Sequence, residues 1–331
     1  MKIKVVRNGI MAATPSFEYR PGYFFTDDPA CCDYDWLVVF DEMPREDRGT
    51  FRRGFEPLCC PHERTILCTW EPVSIKSYSR TYTRQFGHFL SNRPPTADGH
   101  PHYHLGRGYY PWFVGRTYAE VLSTPMPPKT ELISAVCSAK QMKHTKHRAR
   151  YRLVERLSGE IPELAWFGHD VRELSRKYEA LDGYRYHVAV ENHVAPDYWS
   201  EKIADAWLCE CLPFYAGDPN LARTFPPESF IPIPIDDPDE AVRIVRRAIA
   251  AGEFEKRRSA ILEAKRLLLE RYNFWAQVIA VIEDSADQPV TPVDPVRSIR
   301  LYARKALRRH SPVAVLEDGW NHLKRLLWYG R

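Results

Sequence analysis

The chain has 331 residues, 44% of them apolar and 27% charged, with 27 prolines, 16 glycines and eight cysteines. That length and mixture exclude a largely disordered chain, a collagen-like repeat and a small disulfide scaffold, and they leave room for about two domains. The net charge is +4, and it is unevenly placed: Pro289 to Arg331 holds nine Lys/Arg against three Asp/Glu, so the positive excess belongs to this end of the chain.

The opening stretch Met1 to Gly9, with Lys2, Ile3, Lys4 and Val5 alternating, reads as a strand. It has neither the continuous apolar stretch nor the small-residue cleavage site of a secretory leader, so a cytoplasmic location is expected. The longest apolar runs, such as Trp36 to Phe40, fall far short of the roughly 18 residues that span a bilayer, and no transmembrane segment is expected. Asp35 to Phe40 and Thr65 to Thr69 are continuous apolar runs, the pattern of strands buried on both faces of a parallel sheet. Ser91 to Gly108, rich in Pro, His and Gly, reads as a long loop. Pro125-Met126-Pro127-Pro128 is the candidate linker.

Beyond the linker the pattern alternates. Strands are expected at Glu131–Cys137, Ala165–Gly168, Tyr186–Val190, Leu212–Tyr215 and around Phe230. Helices are expected at about 146–157, 201–211, 238–251 and 253–272. Asp237 caps the helix that begins at Pro238, and Gly252 follows its end. Such alternation points to a parallel α/β domain, in which ligands sit beyond the carboxyl ends of the strands. Pro289, Pro292 and Pro295 then mark an extended linker, followed by two basic segments, Arg297–Arg309 and Trp320–Tyr329. Without a leader, the eight cysteines are read as reduced thiols. Cys59-Cys60-Pro61-His62 has no second half at zinc-site spacing.

Directly after Tyr186–Val190 stands Glu191-Asn192-His193-Val194-Ala195-Pro196-Asp197-Tyr198-Trp199-Ser200-Glu201-Lys202. Ser200 is a plausible N-cap, and free N–H groups at a helix start form an anion site. Glu201 suits the dipole there, whereas Lys202 does not. A bound phosphate would account for a lysine at that position; an ordinary solvent-facing lysine is the alternative. Asp33-Tyr34-Asp35 superficially resembles an Asp-x-Asp metal-binding motif, but it precedes a strand instead of following one.

Tyr186 to Pro219 resembles the donor-binding motif of the α-1,3/4-fucosyltransferases, glycosyltransferase family 10. The family pattern is an apolar strand, Phe-Glu-Asn, a short spacer, Asp-Tyr-x-Thr-Glu-Lys, a helix and a Pro-x-x-x-Gly strand. Val190-Glu191-Asn192 and Asp197 to Lys202 match it in order and spacing, with Val190 in place of Phe and Ser200 in place of Thr. Upstream, Lys129 to Ser138, Arg150-Tyr151-Arg152-Leu153 and Trp166-Phe167-Gly168 are similar to the family's strand, Arg-bearing helix and Val-Asp-x-x-Gly segment, although Ala165 stands where Asp is usual. Thr65 to Pro72 has the form of the strand that ends on the family's general base, here Glu71. Leu105 to Tyr110 is loosely similar to a later segment of the N-terminal half.

The resemblance implies an α/β chain of GT-B-like architecture, two Rossmann-like domains facing a cleft, with a basic helical C-terminal tail. The expected spans are 1–128 for an acceptor-binding domain, 129–288 for a nucleotide-sugar (donor) domain, and 289–331 for a Pro-containing linker and amphipathic tail. It implies inverting transfer of L-fucose from GDP-fucose to a Gal- or GlcNAc-type glycan, with Glu71 as base. Arg150, Glu191, Asn192, Tyr198, Glu201 and Lys202 are the implied donor-binding residues, and Arg152 is a second-choice phosphate ligand. GDP-fucose is the donor substrate, with no cofactor and no metal required. Alternatives are the same scaffold using another nucleotide sugar, or a non-enzymatic basic protein binding nucleic acid or glycan. Nucleic acid is not expected as a partner, since the basic excess is confined to the tail. That tail, at 297–331, is a candidate for peripheral contact with an anionic membrane surface.

Overall fold

The computed structural model describes residues 1–7, 17–43, 54–95, 99–106, 114–139, 145–292 and 299–329. The chain forms two compact units: Met1–Gly108 with Phe274–Arg331, and Tyr109–Asn273. Among the described residues, the sheet of the first unit has seven strands in the order Phe17–Arg20, Tyr23–Thr26, Lys2–Arg7, Trp36–Phe40, Thr65–Thr69, His88–Ser91 and Tyr103–Leu105. All neighbours are parallel except the hairpin of the first two. Trp36–Phe40 and Thr65–Thr69 are buried at every position, as their unbroken apolar pattern requires. Tyr103–Leu105 is a strand inside the stretch read as loop. It is short and half-polar, with a burial pattern set by its place at the sheet edge. The segment Leu105 to Tyr110 lies mostly outside the described residues, as do Gly9, Pro295 and Arg297.

At that edge His88 is buried, with its Nδ1 3.1 Å from His104 Nε2 and the rings of His102 and Trp36 beside it. Burial first, then the neighbouring imidazoles, pushes the His88 pKa down to about 4. The unfolded chain takes up this proton near pH 6.5 and the folded chain only near 4, so stability is full above 6.5 and is lost as pH falls toward 4. The loss from this group is about 3 kcal/mol across that window. His88→Gln is expected to flatten that part of the stability–pH curve in urea melts at pH 7, 6, 5 and 4.

The second unit is a parallel sheet of five strands among the described residues, in the order Leu164–Phe167, Glu131–Val136, Tyr184–Val190, Leu212–Ala216 and Ile231–Pro232. In chain order this is 2-1-3-4-5, so connections turn in opposite directions on either side of the boundary between Glu131–Val136 and Tyr184–Val190. That boundary is a topological switch point, where open α/β sheets bind ligands. Its α-helices among the described residues are Tyr118–Ser123, His147–Glu160, Glu201–Leu208, Pro238–Ala250, Glu253–Lys256 and Arg258–Glu270. The expected single helix over 253–272 is two, because the turn is interrupted at Arg257.

These boundaries differ from the expected 1–128, 129–288 and 289–331. The candidate linker at 125–128 lies within the second unit. Ahead of it the helix Tyr118–Ser123 carries a Thr117–Glu120 capping box, Arg116 pairs with Asp182, and Met126 packs against the small apolar cluster that includes Leu181, Ala206 and Cys209. Pro125, Pro127 and Pro128 are exposed and only Met126 among them is half-buried, so these prolines mark an extended surface segment of the second unit and not a boundary between units. At the other end, the helix Phe274–Asp284 joins the first unit through Phe40–Phe274 and Phe17–Trp275 ring contacts and the Arg20–Glu283 pair.

The C-terminal segment is also built into the first unit. The strand Arg300–Tyr302 pairs antiparallel with Phe55–Pro57, and Leu301, Leu307 and Ala314 are buried in its core. The helices Arg304–His310 and Pro312–Tyr329 follow. Arg304 pairs with Glu42 and Asp318, and Arg308 with Asp318, so part of the basic excess is neutralised locally. On the last helix Val313, Leu316, Trp320, Leu323 and Leu327 are exposed at three- and four-residue spacing, forming one apolar stripe. Among the described residues no helix is long and apolar enough to cross a membrane.

Candidate functional site

The strand Tyr184–Val190 delivers Glu191 to the carboxyl edge of the second sheet, next to the switch point. Its backbone N–H continues the ladder to Ala216 O at 2.8 Å, so the carboxyl group enters the site from a rigid support. Glu191 is fully buried. Its Oε1 accepts from Ser200 N at 2.9 Å and Ser200 Oγ at 2.8 Å, while Oε2 stands 2.7 Å from that hydroxyl and 3.3 Å from Lys202 Nζ. The loop 191–200 is thereby closed onto the start of the helix Glu201–Leu208. Ser200 is the N-cap, with extended backbone and a hydroxyl that accepts from Lys202 N.

Lys202 Nζ donates to Ser200 Oγ and Glu201 Oε1, both at 3.0 Å. Burial opposes its charge, but Glu191 and Glu201 outweigh that effect and hold its pKa above the ordinary lysine value. The two carboxyl groups are driven apart. Burial holds Glu191 above the usual range despite Lys202. Glu201 resists burial because Lys202 and Lys177 face it, and its pKa falls to about 2. The helix start thus carries an ammonium that stays charged beside one firmly ionised carboxylate. It offers a cation for an anionic ligand and an acceptor for a ligand hydroxyl.

Arg150 comes from the helix His147–Glu160, which follows the first strand across the switch point. It is buried. At the end of that strand burial raises the Cys137 thiol pKa, and Arg150 lies close enough to lower it and to oppose the charge of Lys202. Its Nε is buried without a hydrogen-bond partner. A buried guanidinium N–H left unsatisfied, next to a second cation, suits an anion placed between them. Two residues on, Arg152 is exposed, on a different side of the same helix. Asn192 is half-buried, and its carbonyl accepts from Lys146 N at 3.0 Å, tying the loop to the turn before the Arg150 helix. Tyr198 is buried with its ring 5.2 Å from that of His193.

Four expected residues, Arg150, Glu191, Glu201 and Lys202, therefore meet in one cluster, with Asn192 and Tyr198 on its connecting loop. Glu71 lies in the first unit, half-buried, two residues beyond the strand Thr65–Thr69 and before Pro72. The structure adds a layer beneath the cluster. Asp205, fully buried one turn after Glu201, is pushed by burial to about 6 and is hydrogen-bonded by Lys177 Nζ. His187, also buried, shares a 2.8 Å hydrogen bond with Ser134 Oγ, and burial pushes its pKa down to about 3. The spacing of four between Glu201 and Asp205 was a usable signal of a shared helix face. Lys177 had none, because its approach depends on the fold.

Gly217 closes the site from behind. A Cβ there would stand 2.1 Å from Tyr215 Oη and 2.7 Å from Glu191 Cγ. Gly217→Ala is expected to cost about 1–3 kcal/mol by overpacking, read as a lowered urea midpoint. As for metals, no cluster of three His, Cys, Asp or Glu able to hold an ion occurs among the described residues. Asp33 faces solvent and Lys2, and Asp35 accepts from the Lys2 backbone N–H at 2.7 Å ahead of its strand.

Residues 126–244 match the family model described as "Glycosyltransferase family 10 (fucosyltransferase) C-term". A stretch of 80 residues is 32% identical to the alpha-(1,3)-fucosyltransferase FucT of Helicobacter pylori; it makes up 24% of this chain and only 16% of that relative's length. Among solved structures, the chain is similar to an alpha1,3-fucosyltransferase at 14% identity and TM-score 0.48, over 85% of this chain and 89% of that one. It is also similar to Anabaena Alr3699/HepE in complex with UDP and glucose, at 10% identity and TM-score 0.44, over 77% of each chain.

Proposed function

We propose that this chain, which carries a glycosyltransferase family 10 C-terminal segment over residues 126–244, transfers L-fucose from GDP-fucose to a hydroxyl of a Gal- or GlcNAc-type glycan. The observation that carries the reading is the buried Arg150 Nε without a partner, set beside Lys202 at a helix N-terminus and at the sheet's switch point. Such a pair of cations suits a diphosphate. In an inverting displacement the acceptor oxygen attacks the anomeric carbon as the bond to GDP breaks, so charge grows on the leaving phosphate. Arg150 takes that charge through its fork and Lys202 as a point charge. Glu201, ionised at all working pH values, accepts from a ribose hydroxyl. Glu191 acts through Ser200 and Lys202, holding the ammonium in place. Asn192 and Tyr198 complete the donor loop. Glu71 takes the proton of the acceptor hydroxyl. The scheme uses side-chain cations for the leaving group and calls for no metal.

The test is turnover of a panel of nucleotide sugars with a lactosamine-type acceptor. GDP release from GDP-fucose alone, with fucose on the glycan, is the expected result. Preference for a different nucleotide sugar would keep the scaffold and change the donor. Binding of no nucleotide sugar at all would overturn the reading.

The exposed stripe on Pro312–Tyr329, with Lys305, Arg309 and Lys324 nearby in sequence, is proposed to lie on an anionic membrane surface, making the chain a peripheral cytoplasmic protein. Because Leu301, Leu307 and Ala314 are core residues, deleting the tail would unfold the unit, and point changes are the sound test. Leu316→Asp with Leu327→Asp is expected to abolish co-sedimentation with phosphatidylserine vesicles while leaving Tm within about 2 °C, as surface changes do. Unchanged sedimentation would remove the idea.

A further inference from the structure

All eight cysteines are free, and six are buried; Cys32 is exposed and Cys59 half-buried. The two thiols that solvent reaches are brought together by the fold. Cys32 precedes the strand Trp36–Phe40 and Cys59 precedes Thr65–Thr69, and these strands are parallel neighbours with Leu37 opposite Thr65. Both cysteines therefore stand at the amino ends of adjacent strands. Lys4 Nζ ties the two segments, donating to Cys31 O at 2.9 Å and Glu56 Oε1 at 2.7 Å. The Cys59 backbone N–H donates to Tyr34 Oη at 3.0 Å. With the segments so held, the Cys59 thiol lies close enough to the Cys32 side chain for the two to act on each other electrostatically. Cys31 and Cys60, the adjacent residues in each pair, turn inward to the apolar core. The sequence pairs Cys31-Cys32 and Cys59-Cys60 thus each present one structural and one reachable thiol.

We propose that Cys32 and Cys59 are a reversible dithiol–disulfide pair, a modification site that exchanges with low-molecular-weight disulfides. Cys32, the more exposed, reacts first. Its thiolate attacks one sulfur of oxidised glutathione, forming a mixed disulfide and releasing one glutathione thiolate. The Cys59 thiolate then attacks the Cys32 sulfur and expels the second glutathione. Two protein thiols lose two electrons and two protons, and one oxidised glutathione becomes two reduced molecules. The new bond staples two neighbouring strands at their amino ends. It also encloses Phe55–Pro57, the strand that anchors the C-terminal segment through Arg300–Tyr302.

The native full-length chain is incubated with oxidised glutathione, alkylated in denaturant and mapped by non-reducing peptide mass spectrometry. The expected product, weighed before alkylation, is lighter than the reduced chain by roughly 2 Da, and mapping shows a single Cys32–Cys59 cross-link that dithiothreitol reverses. Closing this loop is expected to raise Tm by several degrees. Cys59→Ser is expected to stop at a Cys32 adduct heavier by roughly 305 Da, and Cys32→Ser to remain unmodified. A cross-link through another pair, a wild-type chain that stops at the mixed disulfide, or no reaction would overturn the proposal.

Discussion

Lys202→Ala is expected to weaken GDP and GDP-fucose binding by roughly 100- to 1000-fold, the scale seen when one partner of a buried, hydrogen-bonded charge pair is removed. The reason lies in what the ammonium holds. It bonds to Ser200 Oγ and Glu201 Oε1 and stands 3.3 Å from Glu191 Oε2. Without it, Glu191 and Glu201 lose their nearest cation, Arg150 and Lys177 are left to offset them, and the charge balance of the site shifts toward negative. Glu201, lowered to about 2 in the wild type with Lys202 as the largest opponent of burial, would shift upward. Isothermal titration with GDP measures the first effect, and a urea melt separates it from unfolding. Affinity within about threefold of wild type would mean the cluster is a structural ion network and not the diphosphate site.

Glu71→Ala is expected to leave GDP affinity unchanged and to lower transfer by roughly 10²- to 10⁴-fold, the usual contribution of a positioned general base. Glu71→Gln should lose as much, since the amide keeps the shape and cannot take a proton. Steady-state rates with saturating donor, set beside GDP titrations of the same preparations, check this. A loss of donor binding in step with rate would reassign the residue to folding, and an unchanged rate would reject it as the base. Glu71 follows a strand buried at every position and precedes Pro72, so its backbone has a rigid support that the substitutions leave in place.

Much of the site was legible because it is local. Glu191, Ser200, Glu201 and Lys202 lie within twelve consecutive residues, and a strand end followed by a capped helix forces them together. The strands Trp36–Phe40 and Thr65–Thr69 were equally plain, since unbroken apolar runs have few ways to be satisfied. Reading failed where the partner was distant. Tyr103–Leu105 has too little apolar pattern to declare itself and is a strand because Phe89 and Leu90 lie alongside.

From the sequence alone came the parallel α/β class, the strand–helix order and the identity of the cap, the cation and the carboxylates, all of which follow from local periodicity and backbone geometry. Only the tertiary structure brought Arg150 beside Lys202, set Lys177 and Asp205 beneath them, turned Glu191 inward and wove the C-terminal strand and helices into the first unit. Those outcomes depend on which distant faces bury one another, and burial energy between remote segments leaves no mark in the spacing of neighbours.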